Sequence, residues 1–294
     1  MQILDGKALA ATIKEEIKIS VADLLKSEGI QPHLAAILVG DNAASKAYVG
    51  NKVKMCEAVG FRSTLVHLPA DISEKVLLEQ INNLNNDASV HGFIVQLPLP
   101  EHINVATITQ AIDYRKDVDG FHPINIGRMV ENLSCYLPAT PWGIVQMLER
   151  YQIATSGKHC VVIGRSNIVG MPVSILLARN AQPGNCTVTI THSRTQNLAE
   201  IVRTADIIIA AIGKPHFVTA DMVKKDAVVI DVGINRVKAD DTKSGFRLVG
   251  DVDFENVAPQ CTAITPVPGG VGPMTVVSLM LNTLKAARRQ VYLR

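Results

Sequence analysis

The chain has 294 residues, 47% of them hydrophobic and 19% charged, with a formal net charge of +2. That length accommodates two domains of ordinary size. So balanced a charge excludes a broad nucleic-acid surface, and basic residues are scattered apart from Arg288-Arg289. Aromatics are sparse at 4%, so Val, Ile, Leu and Ala carry the core, a mix that suits buried parallel strands flanked by helices. Cys56, Cys135, Cys160, Cys186 and Cys261 are odd in number and form no C-x-x-C pair. They read as reduced thiols in a reducing compartment, with no metal site expected. The charged N-terminal stretch is unlike a secretory signal, and no apolar run approaches the ~20 residues that span a bilayer. The expectation is a cytoplasmic protein with neither membrane nor nucleic acid as partner.

In chain order, residues 7–28 read as an amphipathic helix, with Leu9, Ile13, Ile17 and Leu24 on one face and Gly29 ending it. Leu34–Val39 reads as a buried strand, followed by Gly40-Asp41-Asn42 and a second helix closing near Gly60. Residues 64–68 form the next strand, 72–85 another helix, and Val90–Leu97 a strongly apolar strand stopping at Pro98-Leu99-Pro100. A junction is expected over 130–145, around Pro138 and Pro141. Strands are then expected at 160–164, 187–191, 207–211 and 227–232, with helices at 171–179 and 198–204 between them. Residues 180–186 look slightly long before their strand, and 238–247 reads as a polar turn. A last helix covers 274–289. Strand–helix alternation favours parallel sheets, and the second half has the spacing of a doubly wound nucleotide-binding domain.

Several positions can carry chemistry. Tyr48 and Lys52 lie four apart in the second helix, hence on one face. A lysine beside a tyrosine in a cleft acts as acid or base once burial lowers its pKa; the plain alternative is a solvated helix face. Gln96 interrupts an apolar run at the C-terminal end of a strand, where open α/β sheets place ligands. A buried amide needs hydrogen-bond partners, and Lys52 is a candidate. Asp117 and Asp119 stand two apart in Lys116-Asp117-Val118-Asp119-Gly120-Phe121-His122-Pro123. The stretch is either a turn or a place where one carboxylate grips an amidine-like ring edge.

Gly164-Arg165-Ser166-Asn167-Ile168-Val169-Gly170 follows a strand and precedes a helix, the setting for a pyrophosphate at a helix N-terminus. Ser166 stands where the usual middle glycine would be. A NAD-preferring site puts Asp or Glu after the next strand, but this chain has His192-Ser193-Arg194 and no acid before Glu200. Ser193, Arg194 and Arg165 suit a 2′-phosphate, so NADP is the expected cofactor. Thr265-Pro266-Val267-Pro268-Gly269-Gly270-Val271-Gly272-Pro273-Met274-Thr275 is dense in Gly and Pro and either exposes backbone to a ligand or forms a hinge.

Five of these stretches, in order and over nearly the whole chain, resemble the FolD-type bifunctional methylenetetrahydrofolate dehydrogenase/cyclohydrolase family. They are Tyr48 to Lys52, Val95 to Pro100, Asp117 to Pro123, Gly164 to Gly170 and Thr265 to Thr275. The resemblance implies an α/β fold of two domains. One is an N-terminal folate-facing domain, residues 1–138, completed by a returning C-terminal helix, 274–294. The other is a Rossmann-type NADP-binding domain, residues 139–273. It also implies a homodimer. The implied reactions are oxidation of 5,10-methylenetetrahydrofolate with NADP, then hydrolysis of the methenyl product to 10-formyltetrahydrofolate, supplying purine and related biosynthesis. Carried onto this sequence, Lys52 is the acid/base for ring opening and Tyr48 orients the folate. Gln96 holds Lys52, Asp119 bonds the pterin edge, and Pro268 and Gly272 line the folate side. Gly164, Arg165, Ser166, Ser193 and Ile234 contact NADP. A dehydrogenase without the hydrolytic step, a non-catalytic NADP binder and an oxidoreductase for another small substrate are the alternatives. Lys52 and Gln96 argue against the first, the second gives no reason to keep Tyr48, Lys52, Gln96 and Asp119 in place, and a substrate panel separates the third.

Overall fold

A computed structural model describes residues 1–242 and 245–292. In chain order its main elements are β1 (Gln2–Ile3), α1 (Gly6–Glu28), β2 (His33–Val39), α2 (Ala43–Val59), β3 (Arg62–Leu68), α3 (Glu74–Asn86), β4 (Gly92–Val95), α4 (Val105–Ala111), α5 (Pro123–Val130) and α6 (Ala139–Arg150). There follow β5 (His159–Ile163), α7 (Gly170–Ala178), β6 (Thr187–Thr191), α8 (Leu198–Arg203), β7 (Ile207–Ala210), β8 (Val228–Asp231), β9 (Asn235–Lys238), β10 (Phe246–Val249), α9 (Phe254–Val257), β11 (Ala263–Ile264) and α10 (Val271–Ala287). The chain divides into two compact units, one of Ala11–Ala139 with Val276–Arg294, the other of Met1–Ala10 with Thr140–Thr275.

The first unit is built on a three-stranded parallel sheet in the order β3-β2-β4. Every residue of β2 is buried, which is why its sequence after His33 is a continuous apolar run rather than an alternation. Ala35, Ile37 and Phe93 pack against Leu77 and Ile81 of α3 and Ile108 of α4. β3 and β4 lie on opposite sides of β2, so the chain reverses its winding there. A doubly wound sheet opens its binding crevice at the strand C-termini of such a switch. α2 leaves the C-terminal end of β2 at that point, and Gln96 follows β4.

The second unit has a six-stranded sheet, β1-β11-β8-β7-β5-β6, parallel throughout. Val161, Ile163, Ile208 and Val229 form its interior with Val202 and Val257. β6 and β7 flank β5, which sets a second switch point after β5 and β7.

Several expectations change. Met1–Ala10 cluster with the six-stranded unit rather than the first domain, because Gln2 and Ile3 pair with Ala263 and Ile264. The 130–145 stretch does hold a division between the units, at Ala139 and Thr140, and it is helical there. α6 starts at Ala139, and Pro141 sits in its first turn, where a missing N–H costs no intrahelical bond. α10 likewise begins at Val271, with Pro273 in its first turn. β4 stops at Val95, and Gln96 is only partly buried. The turn read over 238–247 includes residues 243 and 244, and the C-terminal segment includes 293 and 294; these four lie outside the described residues. On either side of that turn β9 and β10 pair antiparallel.

Candidate functional site

α2 is fixed at both ends by its own sequence. The Asn42 side chain accepts hydrogen bonds from the Ala44 and Ser45 amides, at 3.0 and 3.1 Å. Gly60 closes the helix in the left-handed conformation. Tyr48 and Lys52 therefore stand one turn apart, and Tyr48 keeps 44% of its surface exposed, a ring offered to solvent or ligand. Lys52 Nζ donates to Gln96 Oε1 at 3.0 Å. Gln96 is held in turn, its main-chain N–H bonding Ile37 O and its Nε2 bonding Leu97 O. The switch point of the three-stranded sheet thus brings Lys52 and Gln96 together from positions 44 apart in sequence. Burial pushes the Lys52 amine below its ordinary range, and the Asp119 carboxylate only partly opposes this. Asp119 is raised by burial, again with partial opposition from Lys52. Both groups lean toward their uncharged forms.

The two carboxylates of the Asp117–Asp119 stretch have different jobs. The stretch runs beside β4, with Phe93 N donating to Lys116 O at 3.0 Å. Asp117 is buried and accepts from Gly120 N at 3.2 Å, His122 N at 2.7 Å and Asn125 Nδ2 at 2.9 Å. It is the structural acid of the turn, and burial raises it to about 6. His122 caps α5, its Nδ1 accepting from Ile124 N, so it too is structural. Asp119, bonded through its main chain to Ala139 N, has no such set of donors on its carboxylate among the described residues. It is the acid left to meet a ligand.

In the six-stranded unit, Gly164 ends β5 at the switch point with φ +120°. A Cβ there would lie 2.2 Å from Ala211 O, and one on Gly170 would lie 2.2 Å from Gly164 O. Only glycines let this turn fold back over α7. The Ser166 hydroxyl accepts from Val169 N and Gly170 N at 3.2 and 3.4 Å, which explains a serine where the common motif has glycine. Arg165 and Ser166 are exposed at this turn, and Ser193 and Arg194 are exposed just after β6. A backbone cradle kept free of side chains, a helix start, an arginine and no carboxylate after β6 fit the phosphates of NADP, the 2′-phosphate included.

Ile234 is exposed beside this region, and a Cβ on Gly272 would sit 3.5 Å from its Cδ1. Pro268 is exposed in the turn before α10. Two acids that sequence reasoning missed hold the neighbouring loops. Asp231 ends β8 and accepts from Gly233 N, Asp251 N and Val252 N, each at 2.9 Å. Asp251 accepts from Ile212 N, Gly213 N and Asn235 Nδ2 at 2.7 to 2.8 Å. The signal for Asp231 was an acid closing an apolar strand.

The chain matches the family described as tetrahydrofolate dehydrogenase/cyclohydrolase in both its parts. The catalytic domain matches over residues 4–119 and the NAD(P)-binding domain over residues 138–291. A bifunctional protein FolD from Cytophaga hutchinsonii is 61% identical over 287 residues, covering 98% of this chain and 99% of its own. The crystal structure of a bifunctional FolD dehydrogenase/cyclohydrolase from Campylobacter jejuni is similar with a TM-score of 0.92 at 49% identity, over 99% of each chain. A FolD structure from Trypanosoma brucei, complexed with NADP cofactor and inhibitor, gives a TM-score of 0.93 at 38% identity over 98% of each chain.

Proposed function

The chain belongs to the tetrahydrofolate dehydrogenase/cyclohydrolase family, and from that premise we propose that Lys52 is the proton acceptor and donor of its hydrolytic reaction. The enzyme is bifunctional. It oxidises 5,10-methylenetetrahydrofolate to 5,10-methenyltetrahydrofolate with NADP, and hydrolyses the product to 10-formyltetrahydrofolate in one-carbon metabolism.

NADP, when bound, supplies the hydride acceptor for the first reaction. The chain's own part is to bind and orient. Gly164, Ser166 and the start of α7 would hold the pyrophosphate, Arg165 and Ser193 the 2′-phosphate, and Ile234 would contact the cofactor. Tyr48 and Asp119 hold the folate, with Asp119 on the pterin edge.

The second reaction needs a base near an electrophilic carbon. The neutral Lys52 amine takes a proton from the water that attacks the methenyl carbon. It returns a proton to the ring nitrogen as the carbon–nitrogen bond breaks, and the remaining hydroxyl proton passes to solvent as the formyl group forms. An ammonium would repel the cationic methenyl group, so an amine lowered by burial suits the task. Gln96 Oε1 holds the amine in place. The observation that carries this reading is the 3.0 Å Lys52 Nζ–Gln96 Oε1 bond on an amine lowered by burial.

Lys52→Met is expected to reduce hydrolysis of methenyltetrahydrofolate by about 10²- to 10⁴-fold, the usual contribution of general acid–base catalysis. NADP affinity in the same variant should stay at the wild-type value. Near-normal hydrolysis would overturn the assignment.

The homodimer implied by the sequence is part of this proposal. In its support, β6 is the last strand of its sheet and has an edge without a strand partner among the described residues. Sedimentation equilibrium should give twice the chain mass; a monomer at all concentrations would refute it. No described helix is long and apolar enough to cross a membrane. A cytoplasmic location is proposed on five free, buried cysteines. Cell fractionation that recovers the activity with membranes would count against it.

A further inference from the structure

Asn282 lies inside the apolar helix α10 with 0% of its surface exposed. Its Nδ2 donates to two main-chain carbonyls, Val118 O at 2.8 Å and Leu137 O at 2.9 Å. Its Oδ1 has no hydrogen-bond partner among the described residues. The unpaired Oδ1 carries a cost, offset by the two main-chain carbonyls that the Nδ2 group satisfies. What the amide supplies is a fixed point on the peptide joining Val118 to Asp119. Ala139 N adds a bond to Asp119 O, 3.3 Å away, from the segment that Asn282 also holds through Leu137.

A second brace reaches the same turn from the end of the chain. Tyr292 OH donates to Asn125 Oδ1 at 2.6 Å, and Asn125 Nδ2 donates to Asp117 Oδ2 at 2.9 Å. The Tyr292 ring packs edge-on against Tyr114 and Tyr136, with the Arg128 guanidinium 5.2 Å from its centre. Asp119 is thus flanked by residues whose positions are set from α10 and from the residues beyond it.

We propose that Asn282 is a positioning residue for folate binding, acting through Asp119, with Tyr292 as an outer support acting through Asn125 and Asp117. This rests on the reading that Asp119 holds the pterin edge. A site that must grip a planar ring with one carboxylate gains from having that carboxylate fixed before the ligand arrives. Asn282 then sets folate affinity without touching the folate.

The test is a double-mutant cycle in the full-length enzyme, read as separate KM values for methylenetetrahydrofolate and for NADP. Asn282→Leu keeps the bulk and removes both donated bonds. It should raise the folate KM roughly 5- to 10-fold while leaving the NADP KM within about twofold. In an Asp119→Asn background the same substitution should have almost no further effect on the folate KM. Effects that multiply, or an equal rise in both KM values, would mean a general structural role and overturn the proposal. A normal folate KM in Asn282→Leu, with a raised one in Asp119→Asn, would overturn it while leaving the reading of Asp119 intact. A normal folate KM in Asp119→Asn alone would remove that reading, and the proposal with it. Should Asn282→Leu not fold, Tyr292→Phe removes only one hydroxyl. It should raise the folate KM about two- to threefold, with the same cancellation in Asp119→Asn. No change in that variant, or no cancellation, would then overturn the proposal.

Discussion

Asp231 shows what a single buried acid costs and what it secures. Three backbone N–H groups converge on its carboxylate, yet burial outweighs them and raises its pKa to about 6. Its folded value lies above the unfolded one, so the folded state keeps the proton longer. The associated stability is present below pH about 4 and is lost as pH rises to about 6. The loss is at most about 3 kcal/mol. Asp231→Asn carries no ionisation, so its melting temperature should fall less between pH 4 and 6 than that of the wild type. Equal slopes in scanning calorimetry would show that Asp231 does not titrate in that window. At this scale the sequence was informative where a polar residue broke an apolar pattern. Gln96 stood out in that way and did meet Lys52. Asn282 carried the same sign inside α10 and was passed over. Asp117 and Asp119 could not be told apart in advance, because only the folded turn decides which carboxylate its backbone amides close upon.

The elements with strong local signals were the legible ones. α2 shows its start in Asn42 and its end in Gly60, and β2 shows its burial in the unbroken apolar run from Leu34 to Val39. The two-residue strands β1 and β11 carry no pattern of their own and exist because each pairs with a neighbour distant in sequence. α4 and α5, at seven and eight residues, are too short for a helical period to declare itself. The turn between β5 and α7 was visible through its glycines, and its geometry makes a sharp demand. Gly170→Ala would place a methyl group 2.2 Å from Gly164 O, backbone that has no room to retreat. We expect at least about a tenfold loss of NADP affinity in a fluorescence titration. Hydrolysis of supplied methenyltetrahydrofolate should persist, because Lys52 and Gln96 belong to the other unit. Unchanged NADP affinity would mean that the turn does not receive the cofactor.

On the scale of the whole molecule, neither unit is a continuous piece of chain. The three-stranded unit takes Val276–Arg294 from far along the sequence, and with them the buried Val277, Leu279, Met280 and Leu284. A fragment of residues 11–139 should therefore lack a cooperative thermal transition. A sharp transition in that fragment would show that its core closes unaided. The same division imposes a timetable on the ribosome. All residues of the six-stranded unit have been made by Thr275, whereas the unit bearing Lys52 still awaits the helix that completes it. Its first long stretch ends at Ala139, so at ordinary elongation rates it waits roughly ten seconds or more with part of its apolar surface uncovered. Of the two halves of the enzyme, the one bearing Lys52 is the one most exposed to chaperones and proteases during synthesis.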